Sequence, residues 1–160
     1  MFTDIVGYTA LVKEDEQAAF ELLKKTRGIH KAIIEELNGK WLKEIGDGVL
    51  ASFNTVSEAV SCAKRIQQAC AREEDLLLRI GIHQGEVVFE GDDVFGNGVN
   101  IASQLEAQAQ PGEILFSETV YQDLKNKPGI YAEFKATKRL KNVDQPVKIY
   151  RLASELKIRK

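Results

Sequence analysis

The sequence predicts an α+β domain, a ferredoxin-like βαββαβ sandwich with a mainly antiparallel sheet and extra C-terminal strands and helices. Three observations lead to it: strand and helix patterns alternate in that order, the two central strands are joined by a three-residue turn, and 160 residues with 44% hydrophobic content suffice for one buried core. We expect one domain over residues 1–153, with 154–160 as a tail or the start of a linker. Because the chain opens directly on an apolar run, we also expect that its first strand is truncated.

The first helix and hairpin follow from hydrophobic spacing and turn chemistry. Residues 16–37 carry apolar side chains at three-and-four spacing and end at Asn38-Gly39, which predicts a long amphipathic helix. Residues 40–45 and 49–53 are β-prone runs. The segment Gly46-Asp47-Gly48 between them suits a tight turn, so the two runs form a predicted hairpin with an acidic residue at its tip.

The remaining predicted elements are shorter. In order, they are a helix capped by Thr55, strands over 77–83 and 86–90, a loop over 91–96, a helix over 98–107, a strand over 113–116, a helix capped by Ser117 that reaches Leu124, and strands between 131 and 152 around the turn Asp144-Gln145-Pro146.

The composition excludes several classes of partner. The formal net charge is only −2 and the basic residues are scattered, so we expect no nucleic-acid surface. No apolar run approaches the roughly 18 residues of a membrane span, so we expect no membrane contact by this segment. Cys62 and Cys70 are about 12 Å apart along a predicted helix, too far for a disulfide. Buried thiols and a reducing, cytoplasmic compartment are expected.

Two aspartates occupy positions that favour a metal site. Asp4 lies in an otherwise apolar strand, where an unpaired buried carboxylate is costly, and Asp47 lies at the hairpin tip. In a split βαβ sheet the first strand lies beside that hairpin, so the two carboxylates could converge on one divalent cation. Asp47 taken alone could equally be a turn former. Carboxylates without His or Cys favour Mg²⁺ or Mn²⁺, and hence phosphate substrates.

The segment Val6-Gly7-Tyr8-Thr9, directly after this strand, is a candidate anion site. Glycine allows the backbone to approach a ligand, and the N–H groups at the start of the following helical stretch favour negative charge. Val6, Gly7, Tyr8 and Thr9 are therefore candidate phosphate-binding residues, although a glycine at a strand-to-helix turn is common.

Four runs of sequence, in order and spacing, resemble the signature blocks of class III adenylate and guanylate cyclases. They are Phe2-Thr3-Asp4-Ile5-Val6-Gly7-Tyr8-Thr9, Lys43-Glu44-Ile45-Gly46-Asp47-Gly48, Arg79-Ile80-Gly81-Ile82-His83 and Asp93-Val94-Phe95-Gly96-Asn97-Gly98-Val99-Asn100-Ile101-Ala102-Ser103. The resemblance covers nearly the whole chain. It implies the class III cyclase fold and an adenylate cyclase that makes 3′,5′-cyclic AMP and pyrophosphate from ATP with two Mg²⁺ or Mn²⁺ ions per site.

The resemblance also implies where the metals bind and how the enzyme assembles. Asp4 and Asp47 match the two metal-binding aspartates, and Ile5 matches the residue whose backbone carbonyl joins one metal. In this family each active site lies across a dimer interface, with the metals on one subunit and the base, ribose and lysine contacts on the other. A chain that carries both sets implies a head-to-tail homodimer.

The substrate contacts follow from the same resemblance. Lys43 and Asp93 match the base-selecting pair, Asn100 the residue that holds the ribose, and Lys141 the lysine that reaches the triphosphate. A lysine donor and an aspartate acceptor complement N1 and the N6 amino group of adenine, whereas guanine presents the opposite pattern, so ATP is favoured. Without the family context, Lys43 and Lys141 would be solvated lysines and Asn100 a helix-start residue.

One position departs from the family pattern. Four residues after Asn100 the family usually has an arginine that stabilises charge developing on the α-phosphate, whereas this chain has Gln104. Loss of one such donor costs about 10² to 10³ in kcat, so we expect slow turnover that Gln104→Arg would raise. The alternative is a degenerate cyclase-homology domain that binds nucleotide or only dimerises. Another palm-like enzyme, such as a diguanylate cyclase or a polymerase, is a less favoured alternative. This sequence lacks the Gly-Gly-Asp/Glu-Glu-Phe hairpin that is the signature of diguanylate cyclases.

Other residues are expected to be structural. His30 and His83 are isolated and match no family role, and Trp41 at a strand start is expected to pack in the core. Family members are often fused to sensor, regulatory or repeat domains and are sometimes membrane-anchored, so we expect such partners outside this segment.

Overall fold

A computed structural model describes residues 1–74, 76–91 and 93–153 as a long sheet with helices on both faces. The elements are β1 (Phe2–Ile5), α1 (Tyr8–Glu14), α2 (Glu16–Glu36), β2 (Lys40–Ile45), β3 (Gly48–Ser52), α3 (Val56–Glu74), β4 (Leu78–Ile82), β5 (Val88–Glu90), β6 (Asp93–Phe95), α4 (Asn97–Gln108), β7 (Ile114–Ser117), α5 (Glu118–Leu124), β8 (Ala132–Lys138) and β9 (Val147–Leu152).

The strand order confirms the predicted α+β arrangement. The main sheet has seven strands in the order β2-β3-β1-β4-β7-β9-β8, and its first four strands with α2 and α3 form the βαββαβ unit. All neighbouring strands of this sheet are antiparallel except β4 and β7, which are parallel. β1 therefore lies in the middle of the unit, with the hairpin of β2 and β3 on one side and β4 on the other.

Different helices cover the two faces of the sheet. Alternate residues of a strand point to opposite faces, so Thr3 and Ile5 of β1 share one face and Phe2 and Asp4 the other. The first face carries the largest core cluster, which includes Ile5 and is covered by α2, α3 and α5. On the second face Phe2 shares a smaller cluster with Ala102 of α4. Asp4 is thus on the face that α4 covers.

The close contact between α4 and β4 depends on Gly81. A Cβ atom at this position would collide with the Ala102 carbonyl oxygen and would lie 2.5 Å from the Glu106 amide nitrogen. Because glycine has no side chain, the helix backbone can rest directly on the strand. This contact brings Glu106 to the same face of the sheet as Asp4.

The predicted hairpin is confirmed, with its first strand at the predicted bounds. Ile45 pairs with Gly48 across the turn, and β3 pairs with β1 through Thr3 and Val49. A Cβ at Gly48 would lie 2.6 Å from the Thr3 carbonyl oxygen, so a glycine is required for this approach. The turn residue Asp47 consequently lies beside β1.

The predicted loop over 91–96 is wrong in part, because Asp93–Phe95 is strand β6. It pairs with β5 in a separate two-stranded ribbon, with Val88 opposite Phe95 and Glu90 opposite Asp93. The predicted strand over 86–90 begins only at Val88 and belongs to this ribbon, not to the main sheet.

Two helix caps differ in the use of their side chains. Thr55 caps α3 as predicted, because its hydroxyl accepts a hydrogen bond from the Glu58 amide at 3.1 Å. Ser117 is at the N-cap position of α5, but its hydroxyl makes no capping bond. That hydroxyl instead bonds His83 Nδ1, 34 positions away, at 2.6 Å and the neighbouring Thr119 hydroxyl at 3.1 Å.

Cys62 and Cys70 are fully buried free thiols, as predicted. In the described part of the chain, no helix combines the length and apolar character that crossing a membrane requires. The predicted tail over 154–160 lies outside the described residues.

Candidate active site

The first cluster of predicted site residues is formed by Asp4, Ile5 and Asp47. The Ile5 amide donates a hydrogen bond to Asp47 Oδ2 at 2.9 Å, across the gap between β1 and the hairpin turn. The carboxyl groups of Asp4 and Asp47 are also within hydrogen-bonding reach of each other. The structure therefore brings together the two aspartates whose convergence the sequence predicts.

The two carboxyl groups destabilise each other in their ionised forms. Burial and the hydrogen bond with Asp4 raise the pKa of Asp47 from 3.8 to about 6. Burial also raises the pKa of Asp4. Two partly buried carboxylates at this separation disfavour a second negative charge, and a bound cation would remove that penalty.

Glu106 is a third carboxyl group at this site that the sequence analysis missed. It is only 6% exposed, and its carboxyl group is within hydrogen-bonding reach of that of Asp4. Burial raises its pKa, while the nearby charge of Arg79, which is opposite Asp4 in the strand pairing, opposes that change. The signal was present in the sequence, because Glu106 follows the buried face of α4 at helical spacing from Ala102.

The donor set fits a divalent cation that also binds substrate. Oxygen ligands from two carboxylates suit Mg²⁺ or Mn²⁺, and burial, which raises the pKa of both groups, opposes the ionised forms that a cation would stabilise. Across residues 1–74, 76–91 and 93–153, no three or more His, Cys, Asp or Glu side chains form a complete metal-binding group. A cation held here would need further oxygens, such as the Ile5 carbonyl and substrate phosphates.

The strand-to-helix turn after β1 contains the candidate phosphate-binding residues. Gly7 is the N-cap of α1 with a φ of 79°, and no side chain caps this helix end. Val6 donates its amide to the Leu77 carbonyl, and Tyr8 packs against the core, while Gly7 and Thr9 are exposed. The turn thus lies directly beside the aspartate pair.

The second cluster is the predicted base-selecting pair. Lys43 of β2 and Asp93 of β6 form an ion pair with 2.6 Å between Nζ and Oδ1. The Val94 amide also donates to Asp93 Oδ1 at 2.7 Å. The Lys43 ammonium and this backbone amide lower the pKa of Asp93, so the carboxylate is ionised beside its partner.

The third cluster joins Asn100 and Gln104 of α4 to Lys141 in the segment between β8 and β9. The Gln104 amide donates to the Lys141 carbonyl at 2.8 Å and accepts from the Lys141 N–H at 2.7 Å. Asn100 donates to the same carbonyl at 3.0 Å, and Gln104 donates to Asn100 Oδ1 at 3.0 Å. The side chain of Lys141 is exposed.

The remaining candidates have structural contacts, as expected. His30 is fully buried and bonds the Thr3 hydroxyl at 2.8 Å and the Thr26 carbonyl at 2.7 Å, and burial lowers its pKa. Burial also lowers the pKa of His83. Trp41 packs against the core, with its ring edge-on to that of His30.

The family model described as "Adenylate and Guanylate cyclase catalytic domain" matches residues 1–154. The chain belongs to this family.

Curated relatives and solved structures agree with this assignment. The chain is 32% identical to putative adenylate cyclase 3 of Rhizobium meliloti, in a match that covers 92% of this chain and 26% of the relative. It is 30% identical to an adenylate cyclase of Streptomyces coelicolor, in a match that covers 77% of this chain and 33% of the relative. The structure resembles an adenylate/guanylate cyclase/hydrolase from Silicibacter pomeroyi, with a TM-score of 0.82, 33% identity and coverage of 96% and 94% of the two chains. The adenylyl cyclase CyaB from P. aeruginosa gives a TM-score of 0.77, 28% identity and coverage of 96% and 92%. The chain spans about a quarter to a third of these curated relatives.

Proposed function

We propose that this chain is the catalytic domain of an adenylate cyclase that converts ATP to 3′,5′-cyclic AMP and pyrophosphate. The observation that carries the proposal is the adjacent pair of carboxyl groups of Asp4 and Asp47, whose joint ionisation a bound cation would stabilise. A module that only dimerises has no use for such a pair. Asp4, Asp47 and the Ile5 carbonyl would hold two Mg²⁺ or Mn²⁺ ions.

The choice of ATP rests on the polarity of Lys43 and Asp93. Their ion pair holds a donor and an acceptor side by side at the ribbon. Lys43 would donate to N1 of adenine and Asp93 would accept from the N6 amino group, whereas guanine would leave both groups mispaired. Discrimination of about 10² is expected from such a mismatch.

The other site residues bind and orient the nucleotide. Asn100 would hold the ribose, Lys141 the triphosphate, and the turn at Gly7 a phosphate through its backbone N–H groups. The ribose 3′-oxygen would attack the α-phosphorus, so that the new O–P bond forms as the bond to pyrophosphate breaks, and the hydroxyl proton would pass to solvent water. When bound, the divalent cations supply the charge that acidifies this hydroxyl and neutralises the triphosphate. Gln104 offers no positive charge, so turnover is slow.

We further propose a head-to-tail homodimer with two equivalent sites. Val88, Phe89 and Phe95 of the ribbon are 61%, 54% and 48% exposed, and such a group of apolar side chains is typical of an interaction surface. Asp93, which pairs with Lys43, is on the same ribbon. A second copy that covers the ribbon would therefore lie next to the predicted base-binding pair.

The domain would work in the cytoplasm, where ATP is supplied and the buried thiols of Cys62 and Cys70 remain reduced. In the whole protein it would be joined to sensor, regulatory or repeat domains, because the chain matches only part of the length of its curated relatives.

The direct test is cyclic nucleotide formation by the purified domain with Mn²⁺. We expect cyclic AMP from ATP, and a kcat/KM for GTP about 10²-fold lower. Binding of ATP without turnover under these conditions would favour the regulatory alternative, a degenerate cyclase-homology domain.

The dimer is tested by mixing two inactive variants. Asp47→Asn and Asn100→Ala damage opposite halves of the composite site, so a mixed dimer contains one doubly altered site and one intact site. Mixing equal amounts should restore about a quarter of wild-type activity, because about half of the dimers are mixed and each has one working site. No recovery after confirmed subunit exchange would rule out sites shared between subunits.

A further inference from the structure

The contacts of Gln104 differ from those expected of a group that touches the α-phosphate. Both polar atoms of its amide are hydrogen-bonded to the backbone of one residue: Nε2 donates to the Lys141 carbonyl oxygen and Oε1 accepts from the Lys141 N–H. A side-chain amide carries a donor and an acceptor side by side and can therefore bond both groups at once. Arginine could donate to the carbonyl but has no acceptor for the N–H.

The surrounding packing shows that this contact is part of an anchor for the whole segment. Residues 100 and 104 are one helical turn apart and therefore share a face of α4. The residues that follow them, Ile101 and Leu105, share a buried cluster with Leu140. The apolar side chains of α4 thus hold Leu140 in the core, and the amide side chains next to them in sequence hold the Lys141 backbone at the surface.

From these contacts we infer that Gln104 is a positioning residue, whose amide clamps the Lys141 backbone so that the exposed ammonium group is presented to the nucleotide triphosphate. The role of Lys141 rests on the proposed cyclase function, whereas the clamp itself does not. Asn100 is held by the same network, because its Oδ1 accepts from Gln104 and its Nδ2 donates to the Lys141 carbonyl. The ribose and triphosphate contacts are therefore linked through one glutamine.

The clamp predicts a separation of effects on KM and kcat. Lys141 would bind the triphosphate in both the ground state and the transition state, so loss of its position weakens binding more than turnover. Gln104→Met, which keeps the length of the side chain but neither hydrogen bond, should raise KM for ATP about tenfold and change kcat less than about twofold. Gln104→Arg should raise kcat through its charge and also raise KM, because the Lys141 N–H loses its acceptor.

The first experiment measures the clamp without reference to activity. Hydrogen–deuterium exchange at the Lys141 amide is compared in the wild type, Gln104→Met and the matched control Gln108→Met, an exposed glutamine on the same helix. We expect about tenfold faster exchange in Gln104→Met only. Gln104→Glu retains the acceptor and should keep the amide protected, which supplies a second variant if Gln104→Met is unstable. Unchanged exchange in Gln104→Met, with normal thermal unfolding, would overturn the inference.

The second experiment is a double-mutant cycle with Lys141→Ala, measured with Mn²⁺ and ATP. If Gln104 acts through Lys141, Gln104→Met should add less than about twofold to the effect of Lys141→Ala. Fully multiplicative effects would mean that Gln104 acts on the substrate independently, and would refute the positioning role. A wild-type domain without cyclase activity would count against the proposed function, and the exchange experiment would still decide whether the clamp exists.

Discussion

Replacement of Asp47 by asparagine should change stability and activity in opposite directions. Asparagine keeps an oxygen acceptor for the Ile5 amide, 2.9 Å away in the wild type, and adds an amide donor that can face Asp4. It also removes one of two carboxylates that disfavour each other's ionisation. The variant should therefore unfold less readily than the wild type in the absence of metal, and should lose the site for the cation.

The size of the gain follows from the pKa of Asp47. An increase from 3.8 to about 6 corresponds to an upper limit of about 3 kcal/mol at pH 8. Solvent screening at a partly exposed site reduces this to about 1 kcal/mol. For a domain of 160 residues we expect a Tm about 2 to 4 °C higher in EDTA at pH 8.

The pH dependence has a defined sign. Because the pKa of Asp47 is higher in the folded protein than in the unfolded chain, its contribution to wild-type stability is complete below pH 3.8 and is lost as the pH rises through about 6. The advantage of Asp47→Asn should consequently be small near pH 4 and largest above pH 7. Asp123→Asn, on the exposed face of α5, is the matched control and should show no such trend.

The assay combines thermal unfolding and cyclic AMP formation. Mn²⁺ should stabilise the wild type and not Asp47→Asn, and kcat should fall by about 10³ or more, since a catalytic cation contributes several kcal/mol. A variant less stable than the wild type in EDTA at pH 8 would refute the repulsion between the carboxyl groups. A variant that keeps Mn²⁺ stabilisation and activity would refute the metal site.

Three further substitutions test the fold and the base-binding pair. Gly81→Ala should destabilise the domain by more than about 2 kcal/mol in urea unfolding, because the new methyl group collides with the backbone of α4, and an unchanged midpoint would contradict this close contact. Lys43→Glu should lower kcat/KM for ATP by at least about tenfold and increase the relative use of GTP, since it replaces the donor beside Asp93 with an acceptor; equal losses with both nucleotides would argue against base selection here. His30→Phe should cost about 1 to 3 kcal/mol because the buried Thr3 hydroxyl loses its partner, and stability that matches the wild type would show that this bond contributes nothing.

The parts of the fold that were predicted correctly are those with local causes. The hairpin follows from the turn at Asp47, and α2 follows from its apolar spacing and from Asn38, which has the positive φ of 60° that a helix end favours. The ribbon strand at Asp93 was missed because each ribbon strand has only three residues, too few for a period-two pattern.

Only part of the candidate site could be predicted from residue types and local sequence patterns. The convergence of Asp4 and Asp47 follows from strand order, which the sequence pattern indicates. The contact of Gln104 with Lys141 spans 37 positions and depends on how the β8–β9 segment packs on α4, so no local pattern encodes it. Glu106 was detectable by helical spacing, but its partner on β1 was not.

α4 carries on its inner side the carboxyl group next to Asp4, and on another side the amides that hold Lys141. In a head-to-tail dimer these two sides would serve different nucleotides. Asn100 and Glu106 are separated by about 9 Å of continuous helix, which is stiff over that length. One helix would then contribute to both pockets of the dimer, and an ATP titration that departs from the curve of two independent sites would show that the pockets are coupled.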